Sequence, residues 1–256
     1  PEAVPFTQLF TDGGYHTISN GKMFHHIDDH ADSWSEPPFR VHPDGYDVYN
    51  NEYNRWEMWL NEESGNYINP RTLRGPYCEM AEVPDSAYDD GQLALKTVED
   101  LKRLKDMDKP FFLGIGFWKP HLPFNAPKKY WDLYNRDEIP LPDNRFRPAN
   151  LPEEVQNSQE IYAYACVGEP EDTEYLRELR HGYYACVSYV DAQIGLILDA
   201  LEELELDKNT IVVLLGDHGW SLGEHNFIGP DPRRSRSSAP DQSLPPTTYR
   251  QTRCRP

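Results

Sequence analysis

An acidic and an imidazole side chain stand together where an apolar run of the sequence ends. Residues 211–215 read IVVLL, and Gly216, Asp217 and His218 follow. Five consecutive apolar residues suit a strand that is buried on both faces, and ligands of α/β sheets bind beyond the carboxyl ends of such strands. Asp217 and His218 are therefore candidates to bind one metal ion. The alternative is that Asp217 caps a turn and His218 bonds to a backbone carbonyl.

A lysine and a histidine form a second candidate pair in the stretch NGKMFHH, residues 20–26. Gly21 permits a tight backbone, so Lys22 and His25, three positions apart, can face the same anionic group. Lys22 would then act as a fixed positive charge and His25 as a proton carrier. The alternative is a solvated loop with ordinary polar residues. By alternation, we expect His26 to face away from the group.

A third candidate, His121, lies in a loop that is rich in proline. Pro120, Pro123 and Pro127 frame it in the stretch FWKPHLPFNAP. Because proline fixes φ and lowers the conformational entropy of a loop, a histidine between prolines is held in place, as a general acid must be. A loop that is rigid for structural reasons alone explains the same pattern.

Helix and strand patterns that alternate along the chain predict how these residues are positioned. Hydrophobic spacing predicts helices over 5–12, 89–105 and 172–206, and strands over 15–19, 111–117 and 210–215. The last two strands each follow a helix and lead into a loop that contains a histidine. This order favours an α/β fold with a mostly parallel sheet sandwiched by helices. Residues 31–85 lack periodicity, which predicts long irregular surface structure.

The length of the chain bears on the number of domains, and its charge bears on the classes of partner. The 256 residues suit one large domain. Lys and Arg total 25 against 43 Asp and Glu, a net charge of −18, which argues against nucleic acid as a partner. No apolar stretch approaches the roughly 18 residues of a membrane span. The four cysteines are scattered without a C-x-x-C spacing, which argues against a zinc site.

The composition changes after Phe227. Residues 228–256 are rich in Arg, Pro and Ser and contain no Lys. This predicts a domain over residues 1–227 followed by a disordered tail over 228–256. The tail is interpreted either as an interaction arm or as foreign or frame-shifted sequence joined to a truncated domain.

Three sequence blocks, taken in order, resemble the sulfatase family. They are GGYHTISNGKMFHH, KPFFLGIGFWKPHLPFNAPKKYWDLY and YYACVSYVDAQIGLILDALEELELDKNTIVVLLGDHGWSLGEHNF. The likeness is closest to the iduronate-2-sulfatase and choline-sulfatase branch. It implies an alkaline-phosphatase-like α/β fold, with the chain covering the central part of the catalytic domain and incomplete at both ends.

The resemblance also implies roles for the candidate residues. Asp217 and His218 correspond to ligands of a calcium ion, a hard cation that suits carboxylate and sulfate oxygens. Lys22 corresponds to a lysine that steadies the nucleophile, and His25 to a base that acts on it. His121 corresponds to a histidine near the oxygen of the leaving alcohol.

The nucleophile that the family uses has no counterpart in this sequence. It is a formylglycine made from the cysteine of a C-x-P-S-R stretch, and none of the four cysteines lies in such a stretch: Cys78, Cys166, Cys186 and Cys254. The family's paired aspartates after the first strand are also missing. A Gly-Lys that usually follows GEHNF is absent too, because Pro230 follows Gly229. We therefore expect the chain to be inactive by itself.

The function that the resemblance implies is hydrolysis of a sulfate ester, on a sulfated carbohydrate or a small sulfate ester, with calcium and formylglycine. One alternative is a phosphodiesterase or phosphonate hydrolase of the same superfamily. Another is a non-catalytic fragment that binds glycans, with the aromatic residues of 46–59 stacked on sugar rings. Family members are commonly exported, which favours a periplasmic or secreted location.

Overall fold

The computed structural model describes residues 4–42, 48–63, 74–151 and 160–230. Its helices and strands alternate along the chain. The helices are α1 (Phe6–Asp12), α2 (Glu52–Glu63), α3 (Asp89–Lys105), α4 (Lys128–Trp131) and α5 (Thr173–Glu203). The strands are β1 (His16–Gly21), β2 (Cys78–Ala81), β3 (Phe111–Gly116), β4 (Phe124–Pro127), β5 (Trp220–Leu222) and β6 (Ile228–Pro230).

The strands pair mostly in parallel, as the sequence predicts. β1 pairs with β3 and β2 pairs with β4, both in parallel, whereas β5 and β6 form an antiparallel pair. Within the described residues these are three two-stranded sheets rather than one continuous sheet. The α/β class is confirmed.

The long helix α5 organises the core. Asp172 caps its first turn by accepting hydrogen bonds from the backbone N–H groups of Glu174 and Tyr175. Leu176 and Leu179 are fully buried in a cluster that also contains Phe124 of β4. A second cluster lies between α3 and the C-terminal half of α5. Each such side chain stabilises the fold by about 1.5–3 kcal/mol through burial.

By length and composition alone, α5 is apolar enough to cross a membrane, and it is the one such helix in the part of the chain that the structure describes. Its fully buried residues Leu176, Leu179 and Cys186 pack against the neighbouring strands. A core helix reaches the same hydropathy, so this feature is weak evidence for a membrane span.

The prediction of a strand over 210–215 is wrong. Residues 211–215 form no strand, and Ile211 and Leu215 are 90% and 84% exposed. An apolar run becomes a buried strand only where another strand satisfies its backbone N–H and C=O groups. No strand of the described part pairs with this run.

Residues 31–85 contain more regular structure than the sequence predicts. Helix α2 and strand β2 lie in this region, and α2 is held by tertiary hydrogen bonds. The Asn54 amide donates to Glu79 at 2.9 Å, and the Asn61 amide donates to the carbonyl of Ala163 at 2.9 Å. Polar contacts of this kind leave no hydrophobic period in the sequence.

The other predicted elements agree with the structure to within a few residues: α1, β1, α3, β3 and α5. The predicted tail begins at residue 228, and residues 228–230 form β6 against β5. Residues 231–256 lie outside the described part, so their disorder and origin stay predictions.

Candidate active site

The parallel strands β1 and β3 end side by side and bring two loops together. Gly21 pairs with Gly116 at the end of the ladder, and the Lys22 N–H donates to the Gly116 carbonyl at 2.7 Å. Gly21 has φ of +76°, and a Cβ at Gly116 would meet the backbone of Lys22 at 2.2 Å. Only glycine fits this close approach. The loop that follows β1 begins at Lys22, and the loop that follows β3 and contains Trp118 begins directly beside it.

The Lys22 side chain crosses between these loops. Its Nζ lies 4.7 Å from the centroid of the Trp118 ring, which favours a cation. Burial lowers the pKa of Lys22, while the nearby carboxylates of Asp217 and Glu160 raise it and the Arg40 guanidinium lowers it. The ammonium of Lys22 is thus partly desolvated, and two acidic side chains from distant parts of the chain favour its charged form.

The His121 loop is fixed by a buried carboxylate on α3. Asp90 is 2% exposed and accepts hydrogen bonds from the backbone N–H groups of Trp118 and Lys119, both at 2.9 Å. Burial raises the pKa of Asp90 to about 6, and the two backbone bonds oppose this rise. The peptide bonds before Pro120 and Pro123 are both cis. The two hydrogen bonds of Asp90 anchor the backbone of this loop to α3.

The two nitrogens of His121 face different partners. Nδ1 lies 2.9 Å from the Leu122 carbonyl oxygen, so this nitrogen carries a proton and donates it. Nε2 lies 3.6 Å from a carboxylate oxygen of Glu160. Burial lowers the pKa of His121, and the Glu160 carboxylate raises it. The ring of Trp220 packs edge-on against the imidazole, with ring centroids 5.5 Å apart.

The carboxylate of Asp217 acts on Lys22 through its charge and raises the pKa of that lysine. It is therefore counted with Lys22 and His121 in one group of candidate site residues. Its side chain is 76% exposed, and its Oδ1 accepts the His218 N–H at 2.9 Å. The imidazole of His218 contacts the Gly219 carbonyl through Nδ1 at 3.0 Å. The contact of His218 with a backbone carbonyl is the one that the alternative interpretation of the sequence expects.

These residues do not fit a calcium ion by themselves. Calcium takes six to eight oxygen ligands. Asp217 offers one carboxylate, and His218 offers a nitrogen. Over the described ranges no three His, Cys, Asp or Glu side chains gather in a way that could hold a metal ion. We derive no chemical step through calcium.

Comparisons with known proteins identify the family of this chain. The sequence matches the family model described as Sulfatase over residues 4–250. The chain belongs to the Sulfatase family. It is 33% identical over 243 residues to the iduronate 2-sulfatase of Homo sapiens, covering 85% of this chain and 40% of that protein. It is 30% identical over 228 residues to the choline-sulfatase of Rhizobium meliloti, covering 84% of this chain and 42% of that protein. The sulfatase chain thus spans about two fifths of the length of these relatives, and its likeness to both branches is confirmed.

Solved structures confirm the alkaline-phosphatase-like fold. The phosphonate monoester hydrolase of Agrobacterium radiobacter matches with a TM-score of 0.52 at 20% identity, over 88% of this chain and 49% of that one. The phosphonate monoester hydrolase SpPMH of Silicibacter pomeroyi matches with a TM-score of 0.53 at 18% identity, over 89% and 49% of the two chains. At these identities the likeness shows the fold alone.

Two predicted site residues stay outside the group: His218, whose side chain contacts only Asp217 and Gly219 among the described residues, and His25. The imidazole of His25 is exposed and packs edge-on against that of His26, with ring centroids 4.5 Å apart. Alternation predicts that the two rings diverge, but the loop bends and they touch. The guanidinium of Arg40 donates to the carbonyls of Phe24 and His25, which holds this loop by its backbone.

Four residues of the group were not among the candidates from the sequence: Trp118, Trp220, Glu160 and Arg40. Both tryptophans stand within three positions of a predicted site residue, which is a signal that could have found them. Glu160 and Arg40 reach the site through tertiary contacts only. No local pattern in the sulfatase sequence marks them.

Proposed function

We propose that this chain forms part of the active site of a sulfuric ester hydrolase, in which Lys22 binds the sulfate group and His121 assists the departing alcohol. The observation that carries the proposal is that Lys22 and His121 both contact the ring of Trp118, just beyond the carboxyl ends of β1 and β3. The charge of Asp217 also acts on Lys22. Membership of the Sulfatase family supports it.

The two basic side chains suit different parts of a sulfate ester. A partly desolvated ammonium, as at Lys22, attracts an anion more strongly than one in open water. His121 presents Nε2 to the site while Nδ1 is held by Leu122. When doubly protonated, His121 can donate the Nε2 proton to the departing alkoxide oxygen. His25 remains a proposed base, which would need a loop movement to reach the site.

The nucleophile must come from outside these 256 residues, because none of the four cysteines lies in a C-x-P-S-R stretch. We therefore propose that the chain alone binds sulfate esters without turnover. Asp217 and His218 would contribute to a calcium site that further ligands complete.

A sulfated sugar is the proposed substrate class. Relatives of this chain include proteins named iduronate 2-sulfatase and ulvan-active sulfatase. Both names refer to saccharides or their derivatives. The same class of substrate is proposed here for the whole protein.

Binding of methyl sulfate to this chain tests the proposal without the nucleophile. Lys22→Ala should weaken binding at least about tenfold, because one charge-assisted contact is lost. Lys208→Ala removes an exposed lysine that pairs with Glu205 and serves as the matched control. In an enzyme that includes the nucleophile, His121→Ala should lower kcat by about 10²- to 10⁴-fold. Unchanged binding and unchanged kcat would reject both roles.

Helix α2 favours a second candidate function, the binding of glycans. The side chains of Tyr53, Trp56 and Trp59 are 45%, 50% and 52% exposed. Exposed aromatic rings offer flat apolar faces on which sugar rings can stack. Tyr46 of the proposed aromatic region lies outside the described residues. Tyr49 is 1% exposed and donates its hydroxyl to the Pro76 carbonyl, so it offers no face to a sugar ring. Carbohydrate binding that survives Asp217→Asn and is lost in Trp56→Ala would favour this function.

A further inference from the structure

A carboxylate other than that of Asp217, the side chain of Glu160, contacts His121 and acts by its charge on Lys22 in the proposed sulfate site. One oxygen of Glu160 lies 3.6 Å from Nε2 of His121. The charge of Glu160 also acts on Lys22 and raises its pKa. The Glu160 side chain is 24% exposed, so water screens its charge only in part. A negative charge therefore borders the place where an anionic ligand would contact Lys22 and His121.

Neighbouring side chains fix the position of Glu160. Nη1 of Arg74 donates to the backbone carbonyl of Glu160 at 3.1 Å and lies 3.7 Å from its carboxylate. The guanidinium of Arg74 stacks on the Tyr164 ring at 4.9 Å. The Asn61 amide of α2 donates to the carbonyls of Arg74 and Ala163, at 2.6 and 2.9 Å. Glu160 is thus anchored to α2 and is not a loose surface side chain.

We propose that Glu160, placed against His121 and Lys22, makes this site discriminate between ligands by their charge. A sulfate monoester carries one negative charge, and a phosphate monoester carries close to two at neutral to alkaline pH. The two groups have the same tetrahedral shape, so shape contributes little to the choice. Repulsion from a fixed carboxylate grows in proportion to the ligand charge. Glu160 therefore weakens the binding of a phosphate monoester more than that of a sulfate monoester.

This inference rests on the proposed function, because it assumes that the anion binds beside Lys22 and His121. The other charges near the site act on both ligands. Lys119 and Arg74 attract them and Asp217 repels them. Because Asp217 is also a proposed metal ligand, Glu160 is the carboxylate on which the effect of charge can be tested separately.

The experiment compares the binding of methyl sulfate and methyl phosphate to this chain at about pH 8.5, where the phosphate ester is a dianion. Titrations followed by NMR give both dissociation constants for the wild type, Glu160→Gln and Glu160→Ala. If repulsion by Glu160 raises the dissociation constant of a ligand with one negative charge about fivefold, it should raise that of a ligand with two charges about twenty-fivefold. The reason is that the free energy of repulsion doubles. Glu160→Gln should thus tighten methyl sulfate about fivefold and methyl phosphate about twenty-fivefold.

Two control variants separate charge from structure. Glu160→Asp keeps the charge and should retain most of the preference for methyl sulfate. Glu174→Gln removes an exposed carboxylate that pairs with Arg177 on α5 and should change neither constant more than about twofold. A native NMR spectrum of each variant shows that it folds.

The outcomes distinguish the two proposals. Equal tightening of both ligands in Glu160→Gln and Glu160→Ala, or none, would overturn the role of Glu160 while Lys22→Ala still reports on the sulfate site. If neither ligand binds to the wild type or to the Glu160 variants, the proposed function fails and the inference fails with it.

Discussion

Asp90 provides a quantitative test of how the His121 loop is held. Its buried carboxylate accepts the N–H groups of Trp118 and Lys119. Asp90→Asn keeps the size of the side chain and one acceptor oxygen but removes the charge. The amide nitrogen of the variant also replaces one of the two acceptors, and that loss does not depend on pH. The pH dependence of the difference between the two proteins therefore isolates the effect of burying an ionised carboxylate in this position.

The magnitude and sign follow from proton linkage. The pKa of Asp90 is about 6 in the folded chain and about 3.9 in an unfolded chain. Because the folded pKa is raised, the folded state takes up a proton first as the pH falls, and its stability increases. With these values the stabilisation is close to zero at about pH 7.5 and about 1.4 kcal/mol at about pH 5. Asp90→Asn lacks this contribution.

Urea unfolding of both proteins at the two pH values measures the effect. The free energy of unfolding of the wild type, relative to Asp90→Asn, should increase by about 1.4 kcal/mol from about pH 7.5 to about pH 5. Asp207→Asn makes the same chemical change at an exposed position and is the matched control. A relative free energy that stays constant or falls towards pH 5 would refute the reasoning that Asp90 is ionised and penalised by burial.

Three further predictions concern packing and the site. Arg180→Leu should lower the free energy of unfolding by about 2 kcal/mol in urea titrations, because the partly buried guanidinium donates to the Glu224 carboxylate at 2.8 Å and to the Leu222 carbonyl of β5. A loss below about 0.5 kcal/mol would contradict this role. Leu215→Asn should change the free energy of unfolding by less than about 0.5 kcal/mol, because Leu215 is 84% exposed. Leu179 is fully buried, so Leu179→Ala should lower it by about 2–5 kcal/mol in the same titration. Trp118→Leu should weaken methyl sulfate binding about fivefold, because it removes the aromatic ring that contacts the Lys22 ammonium. Trp118→Phe keeps a ring and should show a smaller loss. Equal affinities of the wild type and Trp118→Leu would show that the ring does not support the ammonium.

Periodicity predicts the helices well because their stability depends on nearby residues. Helix α3 was expected over 89–105 and is found there, since its apolar positions recur on one face and its charges lie on the other. The same rule fails for 211–215. Whether an apolar run is a strand depends on a partner from elsewhere in the chain, which a local pattern does not contain.

In the candidate site, too, the sequence marks some residues, and only the fold brings in the others. The sequence by itself marked Lys22, His121 and Asp217 as candidates, because each follows an apolar or glycine-rich segment, and ligands of α/β sheets bind beyond the ends of strands. Only the tertiary structure showed that Glu160 faces His121, that Asp90 holds its loop, and that the His25 ring points to His26. These contacts join residues 28 to 39 positions apart, or depend on how one loop bends. Hydrogen bonds and Coulomb interactions act over a few ångströms in space, whatever the separation in sequence, so the fold decides them.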